Sequence, residues 1–195
     1  MKTQIPKLIA CGLLLALLAG CIVLSVYPFY TPKDLIFDPG LSGRWNNTET
    51  GKTNEFWQFA ASDGKFFMLS VTDEHDTNCF EAHLFQLKQY QFLDLLTTNR
   101  SEFEMPMHLI TKVTRHEDNL SLEFLDFGWL AGLLQTNPAV LRHVVVPAEP
   151  GNTNDNLMVY LTADTKDLQK FLLKHVKDTN AFSSDAAVQL KRVSP

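Results

Sequence analysis

Six histidines, three cysteines and twenty-two acids are the side chains of this chain that could bind a metal or move a proton. The densest group is His75, Asp76 and Cys79. Zinc needs three or four ligands at fitted spacing, and neither Cys-x-x-Cys nor His-x-x-x-His occurs, so this group reads as a polar loop. His83 and His108 fall inside expected strands. There a histidine either lines a pocket or, more commonly, is a hydrogen-bonded structural residue. His175 sits on an expected helical stripe, and His116 and His143 sit in connections. Gly-x-Ser-x-Gly, His-Glu-x-x-His, a Gly-rich phosphate loop and the dinucleotide fingerprint are all missing. Glu102 with Glu104, and Asp73 with Glu74, read as solvated loop acids. Asp94 is the one acid in an apolar setting, between Leu93 and Leu95; if buried, it must be hydrogen-bonded or paired. These residues predict no catalytic centre, no metal and no cofactor.

The elements that would position such residues are bounded by composition. The chain has 195 residues, 45% hydrophobic and 20% charged, enough for one globular domain with a short appendage. The formal charge is −5, and the only charges in the first twenty residues are Lys2 and Lys7, so the remainder is more acidic still. An acidic domain repels phosphate backbones, and nucleic acid is not an expected partner. The cysteines are Cys11, Cys21 and Cys79, too few for a disulfide framework.

The N-terminus reads as an address. A basic start, residues 1–7, precedes the apolar stretch 8–20, which ends in small residues, the layout of an export signal. Leu18-Ala19-Gly20-Cys21 resembles the lipobox of bacterial lipoproteins. The resemblance implies cleavage before Cys21, a lipid on its thiol and anchorage to membrane lipid by acyl chains such as palmitate. Ile22 is not Asp, which in the enterobacterial members mildly prefers the outer membrane to the inner. The apolar run continues through residues 22–27, where most lipoproteins have a polar tether. An uncleaved single-pass anchor over 8–27 is therefore the alternative. Both readings place the rest of the chain outside the cytoplasm. The expected division is 1–20 signal peptide, 21–40 lipidated N-terminus and extended connector, and 41–195 a β-rich domain. The connector is read from its prolines; its Phe29, Tyr30, Ile36 and Phe37 are free to lie on the domain or on lipid headgroups.

Beyond residue 41, short alternating segments predict a mainly β fold. It is an antiparallel meander of eight or nine strands, forming a barrel or strongly curved sheet, with two short helices. Trp57, Phe59 and Ala61 share one strand face, as do Phe67, Leu69 and Val71, and as do Leu120, Leu122 and Phe124. Asp63-Gly64 predicts a tight hairpin. Asp126 is placed to cap a helix over 127–135, and Asp164 or Thr165 one over 165–177, whose stripe is Leu168, Phe171, Leu172 and His175 with Val176.

Gly43-x-Trp45 resembles the first motif of lipocalins and related calycin-like barrels. In that family the Trp packs across the barrel floor under an Arg from near the C-terminus, and Arg192 has the matching place in the chain. Trp45 and Arg192 are thus a candidate barrel-closing pair. An ordinary core Trp45 with a solvated Arg192 is the alternative, slightly preferred on sequence alone. The phrases at 82–87, 91–96, 107–113 and 161–175 are similar to a group of bacterial envelope proteins that carries no assigned activity. The resulting expectation is a membrane-anchored envelope lipoprotein acting as a non-enzymatic structural or interaction component, with an envelope protein as partner. The alternative is a lipocalin-like module for a small apolar ligand.

Overall fold

A computed structural model describes residues 23–48, 54–98, 105–146 and 158–193. Cys11, the motif at 18–21, Glu102 and Glu104 lie outside the described residues.

In chain order the strands are β1 (Val23–Ser25), β2 (Gly43–Asn47), β3 (Phe56–Ser62), β4 (Phe66–Thr72), β5 (Thr77–Leu87), β6 (Tyr90–Thr97), β7 (His108–His116), β8 (Asn119–Phe124), β9 (His143–Val146), β10 (Met158–Leu161) and β11 (Val188–Arg192). Helix α1 (Phe127–Thr136) follows β8 and α2 (Thr165–His175) follows β10. Strands β2 to β8 form an antiparallel meander, and β11 pairs with both β8 and β2. The result is a closed eight-strand antiparallel barrel, compatible with a lipocalin- or calycin-like fold and, at the level of architecture, with a lipocalin-like ligand-binding module. Closure leaves these eight strands without a free edge.

Alternation fills the inside. Trp45, Phe59, Phe67, Leu69, Leu93 and Leu122 all point inward and are at most 1% exposed. The hairpins that set this register are local. Asp63 and Gly64 both take positive φ, 50° and 64°, as the central residues of a primed turn do, and the Lys65 N–H closes that turn on the Ser62 carbonyl (3.1 Å) before Phe66 pairs with Ser62. Asp126 accepts from the Trp129 N–H (2.6 Å) and starts α1; Asp164 accepts from the Asp167 N–H (2.9 Å) and starts α2.

A second apolar layer covers the outer face of β5, β6 and β7. Phe85, Phe92 and Ile110 point outward there, against Phe29, Leu130 of α1 and Leu168 of α2. The wall is therefore buried on both sides, which is why 92–96 reads as a nearly continuous apolar run.

Two elements differ from expectation. Residues 23–25 join the sheet: Val23 pairs with Val159 in parallel register with β10, and Ser25 pairs with His108 of β7. Residues 143–146, expected as a connection, form β9, which among the described residues is the free edge of a side sheet β1–β10–β9. Among the described residues the strands thus number eleven rather than eight or nine. The connector also packs into the fold. After β1 it crosses outward-facing β6 at Phe29 and bridges β5 through Leu35 and Phe85. A short 3-10 turn, Pro39–Leu41, then leads it into β2. Phe29 is 0% exposed, and burying such a side chain contributes about 1.5–3 kcal/mol. Among the described residues no helix is long and apolar enough to cross a membrane.

Candidate functional site

At one end of the barrel the structure brings Trp45 and Arg192 together. They are direct cross-strand partners, and the Arg192 guanidinium carbon lies 4.3 Å from the centroid of the Trp45 ring. The indole N–H donates to the Leu41 carbonyl (2.9 Å). The guanidinium donates to the Ser42 carbonyl (2.7 Å) and to the Gly40 carbonyl, so the fork ties the 3-10 turn to the last strand. Gly43 has φ +123°, and a Cβ there would come within 2.9 Å of the Arg192 guanidinium. The glycine of Gly43-x-Trp45 thus has a local reason: backbone conformation and room for the arginine. Arg115 donates two N–H groups to Asp38 (3.1 and 2.9 Å) beside the same turn. Phe37 stacks on Phe67 with centroids 4.9 Å apart. This end is a packed closure, with its cation spent on carbonyls and an aromatic face.

The second concentration of polar groups lies on the outer wall, under the N-terminal strap 26–38. Asp94 is 0% exposed. One carboxylate oxygen accepts from the Phe29 N–H (2.8 Å), and the other meets His108 Nδ1 at 2.7 Å. Ser25 is His108's register partner. Serine, histidine and aspartate therefore stand side by side, but not in the bonding order of a nucleophilic triad. The Ser25 hydroxyl donates to the Tyr27 carbonyl (2.7 Å), which turns its proton toward backbone, and the residue is fully buried. The arrangement holds the strap and does not activate an oxygen. From outside, α2 grips the same segment: Thr165 donates to the Pro28 carbonyl (2.8 Å), and Gln169 donates to the Phe29 carbonyl (3.1 Å) and to Asp34 (2.9 Å).

Charges around this clasp are tuned by burial. Burial first, then the negative charges of Asp94 and Glu81, pushes the Tyr30 hydroxyl up to about 12. Burial holds the His83 imidazole below its ordinary value, against the opposing pull of Asp94 and Glu81. His83 stacks on Tyr30 (4.9 Å), and its Nδ1 is buried without a partner among the described residues. Burial would raise Asp34, but hydrogen bonds from Thr31 and Gln169, with Lys33 nearby, hold it below the usual carboxylate range.

The remaining sequence candidates are dispersed. Asp73 accepts from the N–H groups of His75 and Asp76 (2.7 and 2.8 Å), closing its own loop, while Cys79 faces Ser70. His175 packs between Trp129 and Phe171. Among the described residues no three His, Cys, Asp or Glu side chains gather as metal ligands. The Asp94–His108 pair escaped the sequence reading as a pair, although each was noted. Their adjacency follows from the β6–β7 register, in which Asp94 stands opposite Ile110, two residues from His108. Comparison of the chain with family models, curated proteins and solved structures finds no match.

Proposed function

We propose that this chain is an exported bacterial envelope lipoprotein, held to a membrane by lipid on Cys21, whose barrel serves as a non-enzymatic structural or interaction component. The observation that carries the reading is Leu18-Ala19-Gly20-Cys21 behind a basic and apolar leader, with Val23–Ser25 already a strand of the sheet. The start of β1 accounts for the apolar residues that follow the cysteine, because Val23 and Ser25 are buried in the sheet. It also weighs against the single-pass alternative. A strand over 23–25 leaves residues 8–22 for a spanning helix, short of the roughly 20 a bilayer requires. Ile22 in place of Asp favours the outer membrane.

Large aromatic side chains, Trp45, Phe59 and Phe67, turn into the barrel and are at most 1% exposed, which suits a structural role. The closed barrel keeps the lipocalin-like module as the second reading. The test of anchorage is metabolic labelling with a palmitate analogue in cells expressing the chain and its Cys21→Ala variant. The intact chain is expected to take up label and fractionate with membranes, and the variant to take up none. Equal labelling of the two chains would refute the assignment.

A further inference from the structure

The free edge of the side sheet carries an unusual surface. Val144, Val145 and Val146 are consecutive residues of β9 and are 50%, 43% and 41% exposed. Strand residues alternate sides, so both faces of this edge are apolar and open. Immediately before β9, Arg142 lines a cleft of about 550 Å³ together with Lys170 and Lys174 of α2. The cleft holds one acid, Asp167, which pairs with Lys170 at 2.8 Å, so Arg142 and Lys174 give it a positive balance in a chain whose net charge is −5.

Strand β1 lies near the same edge. Val159 of β10 pairs with Val145 on one side and with Val23 on the other. Val145 and Val23 are thus two strand spacings apart, about 10 Å. Cys21 precedes Val23 by two residues and lies no more than about 7 Å from it.

We propose that the β9 edge and the adjoining cationic cleft form one docking face for an anionic bilayer surface, the same surface into which the Cys21 lipid inserts. The inference rests on the lipoprotein reading and adds an orientation to it: the barrel lies against the membrane along β9. Two physical limits set the depth. Exposed valines gain by leaving water, while the unpaired N–H and C=O groups of an edge strand are not tolerated in hydrocarbon. The edge therefore rests at headgroup level, where water satisfies its backbone and anionic headgroups meet Arg142 and Lys174. Each such cation strengthens docking about fivefold near an anionic surface.

The test uses the mature protein purified from membranes, carrying Cys79→Ala and either Val145→Cys or Met68→Cys. Each is labelled with a fluorophore and bound to vesicles of phosphatidylethanolamine and phosphatidylglycerol. Met68 is an exposed position on β4, away from the proposed face. A neutral aqueous quencher is expected to reach the label at 68 and to be several-fold less effective at 145. Adding Arg142→Gln and Lys174→Gln should restore quenching at 145, as should vesicles of phosphatidylcholine alone. Equal quenching at both sites overturns the proposal. So does shielding that rises with protein density regardless of lipid charge, the sign of edge-to-edge pairing between copies. Mass spectrometry of the N-terminal peptide from the same sample separates the two readings. An acylated Cys21 with an accessible position 145 refutes the docking face alone, whereas an unmodified Cys21 refutes both.

Discussion

Arg192 and Trp45 face each other directly across the seam between β11 and β2, with the guanidinium carbon 4.3 Å from the indole centroid. A cation in that position contributes about 0.5–2 kcal/mol through the ring, and its fork also satisfies two carbonyls of the turn that seals the barrel end. Lysine supplies a point charge without the planar fork. Arg192→Lys is expected to lose about 1 kcal/mol and Arg192→Ala about 2–3 kcal/mol of unfolding free energy. Urea denaturation monitored by tryptophan fluorescence measures both. Two variants as stable as the parent would mean that the contact contributes nothing.

Gly43 stands under the same guanidinium. Its φ of +123° lies outside the range open to side-chain-bearing residues, and a methyl there would come within 2.9 Å of the arginine. Gly43→Ala is expected to cost about 2 kcal/mol or more by the same denaturation measurement. In an Arg192→Ala background the steric part of that cost should shrink while the backbone part persists. Full additivity in this double-mutant cycle would rule out the crowding.

Asp94 joins two other pieces of chain to β6: the strap, through the Phe29 amide and by charge the neighbouring Tyr30 hydroxyl, and β7 through His108. Asp94→Leu leaves a buried N–H and a buried imidazole nitrogen without their acceptor, and about 2–5 kcal/mol of stability should go with it. Because the lost bonds hold the strap, hydrogen exchange at Phe29 should accelerate more than exchange at Leu69 inside the barrel. Uniform acceleration at both would show that Asp94 supports the fold at large and not the strap.

His83 and Tyr30 give the clasp opposite pH dependences. The folded-state value of His83 lies below its ordinary value, so its contribution is complete above pH about 6.5 and is lost as pH falls from there toward the folded value. Tyr30 is raised to about 12, so its contribution is complete below pH about 10 and is lost between 10 and 12. His83→Phe keeps a ring for stacking on Tyr30 and removes the titrating group. Stability of this variant should fall less steeply than the parent's between pH 7 and 5. Some slope will remain from His175, which burial also holds low. Identical slopes would remove His83 from the account.

What could be read from the sequence was what depends on near neighbours. The Asp63-Gly64 turn, the Asp126 and Asp164 caps and the alternation of Phe67, Leu69 and Val71 are local signals, and each has its element. β1 was hidden because residues 22–27 continue the apolar leader without a break, and a short apolar run does not reveal its own period. β9 was hidden because three adjacent valines at an open edge show no alternation of burial. The strap was read as a connector from its prolines. Its place depends on Asp94, 65 residues further along than Phe29, and on Gln169, 140 residues further along. Trp45 and Arg192 were legible as partners only through the resemblance to the first lipocalin motif, because they lie on the first and last strands of the barrel. The apolar neighbours of Asp94 showed that it needs a bonding partner if buried; its burial and its partners depend on the strap and on β7.

The reading depends most on where the mature chain begins. Intact-mass measurement of protein extracted from a bacterial membrane decides it. The account predicts a chain that starts at Cys21 and carries the added mass of acyl groups on that residue. A chain that starts at Met1 with an unmodified Cys21 would contradict it.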